Sequence, residues 1–316
     1  PPDLPADVPA ELPADVPADV PTDVPPADVP PDVPADVPAD TPPDDAPGET
    51  TGPEPDPVWG FAGTIRLEQY MSYANGAVPQ SSAVQILLDD APNGRAHVIE
   101  AEAGACRFYR AAPPWTCTPA CADDWTEYCS IDGVCLPYPQ RVSAGTITLA
   151  GLQGGPYVIP VGDADWYSAP ETPPTLFEPG AAITVSASGG DVPPFEAHLT
   201  GVDLMKTPID GALTLVDGAD QAVTWTPAGD GSTVELVLQI GWHGRPPEAI
   251  IWCTAPDADG SVTVPQAMIE AFPYFGGMGL FQHPCLLRRV SRAVVLGKGG
   301  PIEVLAASVM GFGVIH

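Results

Sequence analysis

The chain has 316 residues, with 41 acidic and 11 basic side chains and a formal net charge of −30 at pH 7. Fifteen of the acids and none of the bases fall in residues 1–57, which leaves 26 acids against 11 bases, a net of −15, for residues 58–316. Phosphate contact needs a basic surface, so this balance argues against nucleic acid as a partner and against adsorption to anionic membranes.

The first segment, 1–57, is an acidic, Pro-rich stalk. From Asp3 it steps in fours (DLPA, DVPA, ELPA, DVPA, DVPT), slips at Pro25-Pro26 and continues to Asp40. Proline at every fourth residue removes a backbone donor and pushes its predecessor out of the helical region, so neither helix nor sheet propagates. The expected form is disordered chain or polyproline II, reaching at most roughly 170 Å at about 3.1 Å per residue. Polyproline II turns every three residues while the sequence repeats every four, so the acids, and Val8, Val16, Val20 and Val24, spiral around the rod. No recognition face results, and a calcium or cationic-partner site is disfavoured because successive acids lie about 12 Å apart. Gly48–Pro57 reads as a hinge.

Order is expected from Val58-Trp59, and residues 58–316 suffice for one large unit with its own core. Phe61–Tyr70, Val84–Leu88 and Ala96–Ala101 read as strands, the last two joined through an Asn93-Gly94 hairpin turn. A cysteine-rich insertion follows at about 104–140. It holds Cys106, Cys117, Cys121, Cys129 and Cys135, five of the seven cysteines within 30 residues. Such density points to an oxidising compartment. The inner spacing C-x3-C-x7-C-x5-C lacks both the tight C-x2-C knuckle and any histidine, so disulfides are favoured over zinc. Four cysteines allow three pairings; the interlaced Cys117–Cys129 with Cys121–Cys135 is favoured. Cys106–Cys253 is the favoured third pair, tying the root of the insertion to the main sheet and leaving Cys285 as a thiol.

From Arg141 onward, period-two alternation recurs at Gly145–Leu149, Ile183–Ser188, Leu213–Leu215, Val223–Thr226, Val234–Ile240 and Val262–Val264. Each reads as a half-buried strand. Two more strands are expected near Leu287–Leu296 and Ile302–Met310, and one short helix at Pro265–Phe272. The basic run Arg288-Arg289 with Arg292 divides between two faces and reads as a solvated strand. About a dozen short strands with almost no helix give an all-β class, an antiparallel β-sandwich or jelly-roll. Two smaller sandwiches meeting near Leu152–Tyr157 are the alternative. No stretch is long and apolar enough for a transmembrane helix, no signal peptide is present, and the Pro-Pro-Asp start reads as a mature or trimmed product.

The DVPAD-type leader, C-x-x-x-C…YCSIDGVCLPYP, and SAGTITLAGL resemble surface lipoproteins of the myxobacterial kind. So does VTWTP…ELVLQIGWHG…IIWC…DGSVTVPQAMIEAF, which is similar to the closing part of their β-rich region. The resemblance implies a lipid-modified cysteine upstream of Pro1 and an outer-surface or extracellular location. It carries over no catalytic residues.

Catalytic constellations are missing from the sequence. G-x-S-x-G is absent, no histidine pair sits at i, i+4, and His97 and Glu100 face opposite ways on a strand. Asp257-Ala258-Asp259-Gly260 lacks the remaining acids of a calcium loop and reads as a turn of ordinary loop acids. Trp225 and Trp252 read as core. Trp115, Trp125, Trp166 and Trp242 sit in loop-like contexts, where an aromatic face can stack on a sugar. The candidate ligand site is Trp166 and Tyr167 with Asp163 and Asp165, and Trp242 as a further loop aromatic. The expectation is a non-catalytic binding or adhesion protein, without metal or cofactor, whose partner is a glycan or another surface protein. The alternatives are a carbohydrate-active hydrolase using loop carboxylates, and a structural envelope component.

Overall fold

The computed structural model describes residues 55–71, 79–92, 97–111, 117–123, 126–130, 132–242, 247–273, 280–282 and 285–315. The stalk before Pro55, the Asn93-Gly94 turn, Trp115 and Trp125 lie outside them. In chain order the strands are β1 (Gly63–Met71), β2 (Pro79–Leu88), β3 (His97–Ala103), β4 (Cys106–Ala111), β5 (Glu127–Cys129), β6 (Cys135–Pro137), β7 (Ile147–Ala150), β8 (Tyr157–Ile159) and β9 (Ala182–Ala187). They continue with β10 (Phe195–Thr200), β11 (Ala212–Thr214), β12 (Gln221–Thr224), β13 (Thr233–Trp242), β14 (Pro247–Pro256), β15 (Ser261–Val264), β16 (Leu280–Gln282), β17 (Cys285–Gly297) and β18 (Gly300–Ile315). The α-helix, α1 (Gln266–Ala271), starts after Pro265 and buries Met268 and Ile269, as its sequence spacing predicts.

The all-β class is present, built on a ten-stranded sheet whose main order is β2-β1-β18-β17-β13-β14-β4-β3; β11 adds to β18 and β16 to β13. This sheet is mixed: β18 pairs parallel with both β1 and β11, and its other pairings are antiparallel. Its longest hairpin, β17–β18, closes at the Gly297–Gly300 pair, so Gly299-Gly300 serves a turn. A side chain at Gly299 would meet the Asp90 backbone at 2.3 Å, which explains the glycine there. Three smaller sheets, β10-β9-β7-β8, β12-β15 and β5-β6, complete the strands.

Two strand expectations need correction. β2 and β3 stand at opposite ends of the main sheet order, so no hairpin joins them. β13 is not half-buried: Glu235 and Val237 are as buried as Val234, Leu236 and Leu238. A central strand covered on both faces loses the polar alternation of a one-sided sheet.

Along one face of the large sheet, β18 carries two apolar cores. Ile302, Val304 and Ala306 pack with Ile65, Leu67 and the four-stranded sheet, including Ile147, Val185 and Leu199. Met310, Phe312 and Val314 pack with Leu236, Ile251, Trp225 and the helix residues Met268 and Ile269. Between them runs a polar row set by register, Gln69–Ser308–Arg289. Gln69 Oε1 accepts from the Leu176 N–H at 2.7 Å, and Ser308 Oγ from the Met205 N–H at 2.8 Å. The row therefore satisfies backbone donors of the segments that cross between the cores. Leu152–Tyr157, the alternative dividing point, falls between the paired strands β7 and β8, and Leu152 itself belongs to the first core. Residues 47–316 form one compact unit.

Among the described residues no helix is long and apolar enough to cross a membrane. The disulfides are Cys106–Cys253, Cys117–Cys129 and Cys121–Cys135, and Cys285 is buried and outside any disulfide. The interlaced pairing is thus the one present. Cys106 lies in β4, directly opposite Cys253 in β14, so this bridge joins two strands of one sheet. The cysteine-rich insertion accordingly begins after Ala111, not at residue 104.

Candidate functional site

The candidate ligand residues separate into a solvent-facing turn, a core anchor and a distant strand end. Asp163–Asp165 forms a single 3-10 turn in which Ala164 (φ 53°) and Asp165 (φ 60°) are left-handed, a conformation that costs about 1–3 kcal/mol per non-glycine residue. Backbone bonds close the turn: the Gly162 N–H donates to Trp166 O at 2.7 Å, and the Trp166 N–H to Asp163 O at 3.3 Å. Trp166 is 54 % exposed, with Asp163 exposed and Asp165 half-buried beside it. The Arg141 guanidinium stacks over the indole at 4.8 Å and is fixed in turn by Asp89 at 2.8 Å.

Tyr167 points the other way. It is buried, its hydroxyl accepts from the Ala144 N–H at 2.8 Å and donates to Gly145 O at 3.0 Å. This corrects its expected role: Tyr167 anchors the turn to the core and is not a ligand contact. Trp242 ends β13, paired with Leu280, on the ten-stranded sheet. The turn instead leads out of the four-stranded sheet, so sequence order and not folding unites Asp163, Asp165 and Trp166.

The larger correction concerns the arginines, which are buried. Arg288 is 2 % and Arg289 0 % exposed. Their division between faces is as the strand period requires, but each face is covered. Arg289 lies in the polar row between the two cores. Its Nε and Nη2 donate to Asp257 Oδ1 at 2.9 and 2.7 Å, Nη1 to Asp203 O and Leu204 O at 3.1 and 2.8 Å, and Nη2 to Thr226 O at 2.7 Å. All five donors of a guanidinium are thereby met. Asp257 is not an ordinary loop acid either: it is buried, and its Oδ2 accepts from the Ala228 and Gly229 N–H groups at 2.6 and 3.1 Å.

On the opposite face, register brings Tyr70, Arg288 and Glu235 onto one rung across β1, β18, β17 and β13, with Val309 between. The charges form an alternating chain. Glu68 meets Arg288 Nη1 at 3.6 Å, Arg288 Nε meets Glu235 at 2.6 Å, and Glu235 binds Arg292. Arg292 Nε then meets Glu303 at 2.8 Å, and Glu303 meets Arg66 Nη2 at 3.7 Å. Tyr70 donates to Glu68, and burial together with that carboxylate raises the phenol pKa above its ordinary value. Burial alone would raise Glu235, but Arg288 and Arg292 outweigh it and hold the carboxyl below its ordinary value. The chain sets three carboxylates against three guanidiniums, so each buried charge has an opposite partner.

A short strap, Pro55–Trp59, crosses this face. Val58 and Trp59 pack on Tyr109, Val237, Ile250 and the half-buried Trp252, with Trp59 edge-on to Tyr109 at 5.0 Å. Asp56 accepts from the Tyr109 hydroxyl at 3.1 Å and from the Val58 N–H at 2.9 Å. Trp252, expected as core, is a wall of this covered face. The Arg288 guanidinium stands 5.4 Å from its ring.

These charges had one legible signal. Glu235, Arg288, Arg289 and Glu303 each interrupt long β-branched and leucine runs, where a solvated strand shows regular alternation. His97 is buried with Nε2 2.6 Å from Pro247 O, while Glu100 is exposed and bonds Arg110. The Sγ atoms of Cys117, Cys121 and Cys135 converge within 4.8 Å because two disulfides cross there. No protein-family model matches the chain, and a search of curated proteins finds no similar one.

Proposed function

We propose that the chain is a non-catalytic binding protein displayed outside the cell, which presents the Trp166 turn to a glycan. One observation carries this reading: a half-exposed indole is held on a turn with left-handed, non-glycine backbone, beside the exposed Asp163 and the half-buried Asp165. An aromatic face stacks on a sugar ring while carboxylate oxygens accept from its hydroxyls. Strained backbone of this kind persists where surrounding structure fixes it, here through Tyr167 and the Arg141–Asp89 pair. Asp163 and Asp165 share one three-residue turn, which favours a role as acceptors over a facing acid–base pair. Three disulfides are compatible with an extracellular location. The acidic stalk would supply reach, and the resemblance to surface lipoproteins suggests anchoring by a lipid upstream of Pro1.

Glycan-array binding of the whole chain tests the reading. Trp166→Ala should weaken the best glycan by about tenfold, the equivalent of about 1.4 kcal/mol. Wild-type binding by that variant, or hydrolytic turnover of the glycan, would overturn it; capture of a surface protein through the same turn would replace the glycan as partner.

A further inference from the structure

Beneath the strap a cavity of about 360 Å³ opens on the sheet face that carries the alternating charges. We propose that this cavity binds a small organic carboxylate with an apolar body. The site is independent of the Trp166 turn. Arg66 and Arg288 are its cationic lining, His97 and Gln239 add polar groups, and Val58, Val237, Leu286 and Trp252 are among its apolar walls. Among the described residues no carboxylate lines it, although residues 58–316 carry a net charge of −15. The volume falls in the range of small-ligand sites, and the walls combine apolar surface with cationic and neutral polar groups that would orient a ligand.

The two guanidiniums differ in a useful way. Arg288 is clamped between Glu235 and Glu68. Arg66 ends the charge chain, with one 3.7 Å ion pair to Glu303 and a buried Nε that meets no acceptor. Trp252 Nε1 is likewise buried without an acceptor. Both unmatched groups are donors, and unmatched buried donors destabilise a protein until an acceptor arrives. A carboxylate supplies acceptors in the side-on geometry that a guanidinium favours, and its apolar body fills the space against Trp252. The second cavity beside the strap, about 420 Å³, is lined by Glu102, Glu235, Arg107 and Arg292, whose charges already pair with one another or with neighbours. It has no comparable excess of donors.

Isothermal titration of the full chain with 4-phenylbutyrate and octanoate, each beside its neutral amide, tests the assignment. The carboxylates should bind about tenfold or more tightly than the amides. Arg66→Gln should erase that preference, and Val58→Trp, which fills the cavity from the strap, should abolish binding of all four probes. Each variant is checked by near-ultraviolet circular dichroism, and Trp166→Ala should bind these probes as the wild type does. Carboxylates bound no more tightly than amides, binding that survives Val58→Trp in a folded chain, or no binding at millimolar concentration would each overturn the proposal.

Discussion

Charged residues inside a β-sheet place strong demands on register. A one-residue slip of β17 against β13 would carry Arg288 onto the apolar face and leave Glu235 buried without its partner. The same chain makes stability depend on pH. Glu235 has a folded pKa below its ordinary 4.5, so its contribution is complete above that value and is lost as pH falls through the folded one. Asp89 has the opposite sign: burial outweighs Arg141 and raises its pKa, so its ionisation opposes folding as pH rises. We expect urea-unfolding free energy to fall as pH drops below about 4.5, and Glu235→Gln to show a shallower fall and lower stability at neutral pH, by about 3–5 kcal/mol. Parallel pH curves for the two chains would remove Glu235 as a source of the dependence.

Among the elements, the disulfides divide into two kinds. Cys106–Cys253 spans 147 positions and locks neighbouring strands of the main sheet, while the other two close 12 and 14 positions around the β5–β6 hairpin. Chain-entropy arguments assign about 5 kcal/mol to the long closure and about 3 kcal/mol to each short one. Their consequences differ because the hairpin forms a separate two-stranded sheet. Replacing Cys106 and Cys253 together by alanine should lower the global Tm. Replacing Cys117 and Cys129 by serine should expose the module to protease and leave that Tm nearly unchanged. An equal loss of Tm from both replacements would show that the module is part of the cooperative core. Alkylation of the denatured, unreduced protein should label one thiol, Cys285.

At the scale of the molecule, the first and last long strands, β1 and β18, lie side by side and parallel, so the sheet closes only when both ends are present. Such non-local pairing makes folding slow and cooperative. The strap sharpens where the folded unit begins. Asp56 bonds Tyr109 and Val58, so the functional boundary lies before Pro55 and not at Val58. A chain starting at Pro55 should melt with the full-length protein, whereas one starting at Gly60 should melt several degrees lower and lose carboxylate binding. Equal melting of all three would mean that the strap adds nothing to the sheet.

The sequence by itself determined the all-β class, the short helix after Pro265 and the two short-range cysteine pairs. These depend on local spacing: period-two alternation, a proline at a helix start, and bridges short enough to judge. It also marked Trp166 as exposed, since an aromatic among Asp and Gly has little nearby to cover it. The tertiary structure alone decided the rest. It turned Tyr167 inward, placed β2 and β3 at opposite ends of the sheet, and joined Arg289 to Asp257 across 32 positions. It also ordered Glu68, Arg288, Glu235, Arg292, Glu303 and Arg66 into one alternating chain. Local periodicity reveals which side of a strand a residue takes, but whether that side meets water or another charged strand depends on pairings between distant segments.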